Sequence, residues 1–497
     1  MNLHLDEIRH RIERLRRALR EEELSARREG AGALALAPLY GAHRLLAHPD
    51  AIPTIERELA EAEGVEEERL RRTLEWAAEH HVRRAGAPLD DEYAQWEGSA
   101  TITVGSREIP FQGATAAVAE TEDRCARRQL EEARLSRLEE VIPLQLDRLD
   151  RWRGAIEELG YGGPVEAWER VTGCGLAGLL QEARRIVRDT EEVYWDQLRF
   201  HLERRLGVPV AAAEAHDARR LHRLPWFDRD LGTAPLLGAV RADLASLGVP
   251  LEAEGRVELS VTARPRPGDR SVCVPLEVPE RIVLLLTPGP SHGDRSALLA
   301  AIGRALHAAY TAPELPFEYR VLGDPAVAYA HASSFAQLLL TPTWVRRAGG
   351  VEEARAREYV RMAAFLDLAE LRSRAVRLEF GLELRQSEHP ADLGARWAEL
   401  HEVSSGFRGD PRGYLEMLDA WFEEARWLRG RMLSALLLRR LRDRYDEDWF
   451  RNPRAGHELR GWFEEGTLRD AAHLAARLDA PRLDAEALLE SVVERLE

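Results

Sequence analysis

The stretch ALLAAIGRALHAAYTAP, residues 297–313, decides how the chain is read. Leu298, Leu299, Ala300, Ala301, Ile302, Ala305, Leu306, Ala308 and Ala309 place apolar side chains on every side of a helix, and a helix apolar all round is buried. Asp294 or Ser296 is positioned to cap its N-terminus, and Pro313 to end it. Arg304 and His307 are the strongly polar residues of its interior. A buried guanidinium without a partner is costly. Arg304 is therefore expected to face a carboxylate or a water-filled cleft.

The flanks of this helix set the fold class. Upstream, RVELSVTA places Val257, Leu259, Val261 and Ala263 on one face and Glu258, Ser260 and Thr262 on the other, the two-residue period of a half-buried strand. SVCVPLEV and RIVLLLTP follow, divided by Pro275 and Pro279, so one of them is expected at a sheet edge. Everything after residue 295 has a helical pattern. TITVGSREIPF, from Thr101 to Phe111, reads as a hairpin around Gly105 and Ser106. Residues 1–97 read as an N-terminal helical region, and 98–497 as a helical body with strands near 100–111 and 256–288.

The first helix, MNLHLDEIRHRIERLRRALREEE, carries Leu3, Leu5, Ile8, Ile12, Leu15 and Leu19 near helical spacing and is expected to pack on that body. His80 and His81 lie in a charged helix and are expected to be solvated, as are the acids from Glu21 to Glu23. No apolar run approaches the roughly 20 residues of a membrane span. At 497 residues, 45% hydrophobic and 31% charged, the chain has the composition of a soluble globular protein. Its formal charge of −16 argues against nucleic acid and anionic lipid as partners of the whole surface. All 70 basic side chains are arginine. Cys125, Cys174 and Cys273 lie far apart and form no CxxC pair, so neither a disulfide framework nor a zinc knuckle is indicated, and a cytoplasmic location is expected.

Around residues 270–339 the sequence resembles the thimet oligopeptidase and oligoendopeptidase F family of zinc oligopeptidases. The family's active helix reads LLHE-x-GHALH, in which two histidines four apart grip zinc and the intervening glutamate handles the attacking water. RSVCVPLEVPERIVLLLTPGPSHGD (270–294) is similar to its cleft-edge strand and entry loop, and LPFEYRVLGDPAVAYAHASSFAQLL (315–339) to the segment bearing the third ligand. HDARRLHRLPWFD, TEEVYW and RYDEDWFRNPRAGHELRGWFEEG (444–466) extend the likeness over residues 100–470. The resemblance implies a mainly α, large helical oligopeptidase-like fold with a small β-sheet lining a deep substrate channel.

It also implies where zinc would bind. In that register the first histidine falls on Ala300, the glutamate on Ala301, the second histidine on Arg304 and the third ligand on Tyr329. The tyrosines that stabilise the family's oxyanion fall on Glu423 and Trp427. Glu423 or another cleft carboxylate is then expected to neutralise Arg304. No catalytic position is intact, and zinc, the family's cofactor, is expected to be absent. Arg304, His307, Tyr329, His331, Glu423 and Trp427 are the expected cleft lining. The leading expectation is a degenerate metallopeptidase that binds extended peptides along residues 270–288 without cleaving them. Two rivals stay open: an active hydrolase with a different nucleophile or a relocated metal, drawn from His292, Asp294, His307 and His331, and a scaffold for an active homologue.

Overall fold

The computed structural model describes residues 4–29, 35–43, 48, 50–262, 265–266 and 268–496. Within it the helix read from residues 297–313 spans His292–Tyr310 and is buried along nearly its whole length, with Leu299, Ile302, Ala305, Leu306 and Ala309 fully enclosed. Its cap is neither of the two residues expected. Ser291 accepts from the Asp294 backbone N–H at 3.0 Å, while the Asp294 side chain accepts from the Ser291 N–H at 2.9 Å. This reciprocal box satisfies two of the free donors of the first turn, which Ser296, inside the helix, cannot reach.

Two helices pack in series against this central one. Pro325–Ala336 lies directly on it, and Glu423–Tyr445 lies on Pro325–Ala336. Glycine lets the three backbones approach. A Cβ on Gly303 would strike the His331 carbonyl oxygen, and one on Gly430 would strike the Tyr329 Cβ.

The strand region forms a three-stranded sheet in the order β3 (Val257–Val261), β5 (Arg281–Leu286), β4 (Val272–Glu277). β3 runs parallel to β5 and β4 antiparallel to it, so β4, which carries Pro275, is an edge strand. Ala263, placed on the β3 face by the sequence pattern, lies outside the described residues, as does Leu3. The hairpin forms as β1 (Thr101–Val104) and β2 (Arg107–Pro110), with Gly105 at a φ of 62° in the turn, a conformation glycine adopts without strain.

The N-terminal helix, Leu5–Glu29, buries Ile8, Ile12 and Leu15 completely. Its Leu24 packs on Val274 and Leu276 of the edge strand. The long helix Val65–Ser99 and the central helix contribute to one continuous hydrophobic core, so residues on both sides of position 97 share it. The large helical body with its small sheet is the architecture that the resemblance implies. No helix among the described residues is long and apolar enough to cross a membrane.

Candidate functional site

A cavity of about 710 Å³ opens between the N-terminal helix, Val65–Ser99, the central helix, the segment from Arg320 to Tyr329 and the start of Glu423–Tyr445. Pro275 and Val278 from the sheet region complete its wall. Arg304, His307, Tyr329 and Glu423 line it together, so positions 304 and 329 share one cavity. Ala300 and Ala301, on the same helix as Arg304, bring only methyl groups.

His331 and Trp427 stand apart from this lining. Two positions beyond Tyr329 on a helix, His331 points to the other side. It is 2% exposed, its ring stacked 4.7 Å from that of His307 and set edge-on to Phe463 at 5.0 Å. Trp427 is instead flanked by guanidiniums, with Arg374 4.8 Å and Arg431 5.2 Å from its ring centroid.

One wall of the cavity is fully paired. Arg426, almost completely buried, donates to Glu79 through both terminal nitrogens at 3.1 and 2.6 Å and to Glu75 at 3.3 Å. Arg83 adds a second donor to Glu79 at 2.7 Å. Burial opposes ionisation of Glu79, but Arg426 and Arg83 overcome it and hold the carboxyl well below the usual range. Glu75, with a weaker share of Arg426, is pushed by burial up to about 7. Glu423 accepts a short hydrogen bond from the Tyr329 hydroxyl and lies 3.7 Å from Arg426.

The opposite wall leaves a guanidinium without an ion pair among the described residues. Arg304 meets no carboxylate within ion-pair distance among the described residues, and its guanidinium lies 5.9 Å from the Tyr329 ring centroid. Glu423, its expected partner, is engaged by Tyr329 and Arg426 instead. Burial pushes the Arg304 guanidinium down, whereas Tyr329, Cys273, Glu23 and Glu423 together push it up, and it stays charged. Neither Tyr329 nor Cys273 neutralises it near pH 7, because burial raises both, Cys273 to about 12.

Beside it, among the described residues, Arg16 reaches only the carbonyls of Pro275 and Leu276, each at 3.3 Å. Burial and the neighbouring Arg20, Arg304 and Arg320 pull Arg16 down to about 9. These contacts also occupy part of the β4 edge, where Pro275 offers no N–H to an added strand.

Several lining residues escaped the sequence pattern. His80 is not solvated: it stacks 3.9 Å from Trp76, shares a 2.8 Å hydrogen bond with the Tyr40 hydroxyl, and burial draws it down to about 3. The His81 side chain is only 12% exposed and lies 3.3 Å from Glu158. Glu23 also faces the cavity, paired with Arg20 at 2.6 Å.

The residues at the expected zinc positions do not fit a zinc ion. At the three expected ligand positions stand a methyl group, a guanidinium and a phenol that donates to Glu423, with a second methyl group at the expected catalytic glutamate, and a guanidinium repels a cation. His307 spends its Nε2 on a 3.0 Å hydrogen bond to the Gly466 carbonyl, and burial lowers it to about 4. His292 shares its Nδ1 with the Tyr359 hydroxyl at 2.8 Å. Among the described residues no group of three or more His, Cys, Asp or Glu side chains is arranged to hold a metal.

No family model and no curated protein matches the sequence. Solved structures do match the fold. PZ peptidase A, solved with an inhibitor, superposes with a TM-score of 0.65 over 91% of this chain and 82% of its own, at 13% identity. A protein assigned as an oligoendopeptidase F from Bacillus anthracis strain Ames gives 0.60 over 91% and 80%, at 15% identity. Another oligoendopeptidase F structure gives 0.63 over 91% and 81%, at 14% identity. The chain has the oligopeptidase fold. Its cavity thus lies in a helical scaffold shared with these structures.

Proposed function

We propose that the protein binds peptides in this cavity without hydrolysing them, as a degenerate relative of zinc oligopeptidases. One observation carries the reading: a guanidinium, Arg304, lines the cavity together with Tyr329 and Glu423, where the resemblance places a zinc-binding histidine, a zinc-binding glutamate and an oxyanion donor. Zinc hydrolysis needs a metal to acidify water, a base to take its proton and donors for the oxyanion. Ala301 has no proton acceptor, and Glu423 would repel an oxyanion rather than stabilise it. What remains favours binding. The cavity combines charged groups with the apolar walls of Leu19, Val278 and Val321, and the edge strand β4 borders it.

The test is incubation of purified protein, with and without added zinc, with a degenerate peptide pool read by mass spectrometry. The expected result is a subset of peptides retained intact by the protein. New peptide termini appearing faster than with heat-inactivated protein would overturn the proposal.

A further inference from the structure

The wall around Arg304 has a specific chemistry. Arg16, Arg304 and Arg320 come from three different elements, the N-terminal helix, the central helix and Phe317–Val321, and converge on one cavity. Among the described residues neither Arg16 nor Arg304 has a carboxylate within ion-pair distance, while Arg320 donates to the Val278 carbonyl at 2.5 Å and has Glu280 3.9 Å away. Three other buried guanidiniums each meet a carboxylate: Arg426 has Glu79, Arg431 has Asp367 at 2.8 Å, and Arg429 has Asp324 at 2.8 Å. Arg295, on the same helix as Arg304, is held by the carbonyls of Leu231, Phe227 and Asp228.

We propose that this wall is a carboxylate-binding subsite, in which Arg304, flanked by Arg16 and Arg320, receives the carboxylate of a bound peptide. The inference rests on the peptide-binding reading above and deepens it. A guanidinium presents a planar fork that matches a carboxylate through two parallel hydrogen bonds. Arg16 holds its carbonyls at 3.3 Å, longer than a strong charge-assisted bond, and is free to exchange them for an anion. The pull on the Arg16 proton from Arg20, Arg304 and Arg320 is relieved by an incoming negative charge. Glu423 and Glu23 also line the cavity, so a singly charged carboxylate suits it better than a phosphate dianion. The carboxylate is either the C-terminus of the peptide or an acidic side chain.

The experiment uses the full chain and its Arg304→Gln and Arg304→Lys variants. Two pools of N-acetylated degenerate hexapeptides, one ending in a free acid and one in an amide, are offered to each, and retained peptides are identified by mass spectrometry. In parallel, thermal unfolding is followed with N-acetyl-dialanine, its C-terminal amide or inorganic phosphate. The expected result is retention of the acid pool over the amide pool by about tenfold or more, lost in Arg304→Gln and partly kept in Arg304→Lys, whose point charge lacks the fork. Retention from the amide pool of only Asp- or Glu-containing peptides, again lost in Arg304→Gln, equally supports the subsite and assigns it to an acidic side chain.

Retention of amide peptides without acidic residues as strongly as acids, or binding unchanged in Arg304→Gln, overturns the subsite and leaves peptide binding standing. If wild type retains neither pool, the peptide reading falls and the unfolding data decide the subsite. A shift with N-acetyl-dialanine that its amide does not give and Arg304→Gln abolishes keeps it. No such shift, or a larger one with phosphate, overturns it.

Discussion

On one side of the cavity Arg426 sits between Glu79 and Glu75, with donors 2.6 to 3.3 Å from their oxygens; on the other, Arg304 finds a phenol ring at 5.9 Å and no carboxylate in reach. Both guanidiniums are withdrawn from bulk water, yet one is a structural element and the other an unmet demand. A buried ion pair is a poor source of net stability, but breaking one strands a charge and is expensive. An unpaired charge facing a cavity costs stability until something binds it. The difference between the walls therefore separates what holds the fold from what the fold holds ready.

The largest effect tests the paired wall. Arg426→Gln leaves Glu79 and Glu75 facing each other without their shared cation, and denaturant unfolding at pH 7 is expected to show a loss of about 3–5 kcal/mol. A loss within experimental error would mean that the walls are alike.

Glu75 and Glu79 sharpen the contrast inside the paired wall through opposite pH dependence. Burial raises the folded pKa of Glu75 to about 7 from its ordinary value of 4.5, so the folded state binds more protons than the unfolded state between those values. Its contribution therefore makes stability fall as pH rises through that window. Glu79 has a depressed folded pKa, so its contribution is present above the unfolded value and is lost as pH falls through the folded one. Glu75→Gln is expected to gain about 1–3 kcal/mol on wild type at pH 8 and almost nothing at pH 4, measured by unfolding at both pH values. The same gain at both would remove titration of Glu75 as its cause.

Tyr329→Phe cuts the hydrogen bond to Glu423 that joins the two walls. Because Glu423 is 38% exposed and keeps Arg426 nearby, the expected cost is about 0.5–1.5 kcal/mol. Arg304→Gln reverses the sign: without ligand it is expected to raise the unfolding midpoint by about 1–3 °C. A clear destabilisation would show that Arg304 has a partner in solution, as the sequence led one to expect.

The central helix, the hairpin and the strand with its edge proline were legible because each is written in local periodicity. The apolar run around Arg304 announces burial whatever surrounds it, and Thr101–Phe111 carries its own turn. The convergence of positions 304 and 329 was legible only through the family register. What was hidden is the rest of the cavity wall. Arg16 and Glu23 read as ordinary polar positions of an amphipathic helix, and Glu79 and His80 as a solvated face, because their burial is imposed by elements hundreds of residues away. The partner of Arg304 was misjudged for a related reason. The family register brought Glu423 into the same cavity, but only coordinates reveal that Tyr329 and Arg426 already hold it.

Metal analysis tests the central claim most directly. The protein, purified from zinc-supplemented cells without chelators and passed through gel filtration, is measured by inductively coupled plasma mass spectrometry. The account predicts no zinc above the buffer background, because a guanidinium and a phenol stand where the family resemblance places two of the ligands. Stoichiometric zinc that survives filtration and is lost on substituting His307 or His331 would contradict it.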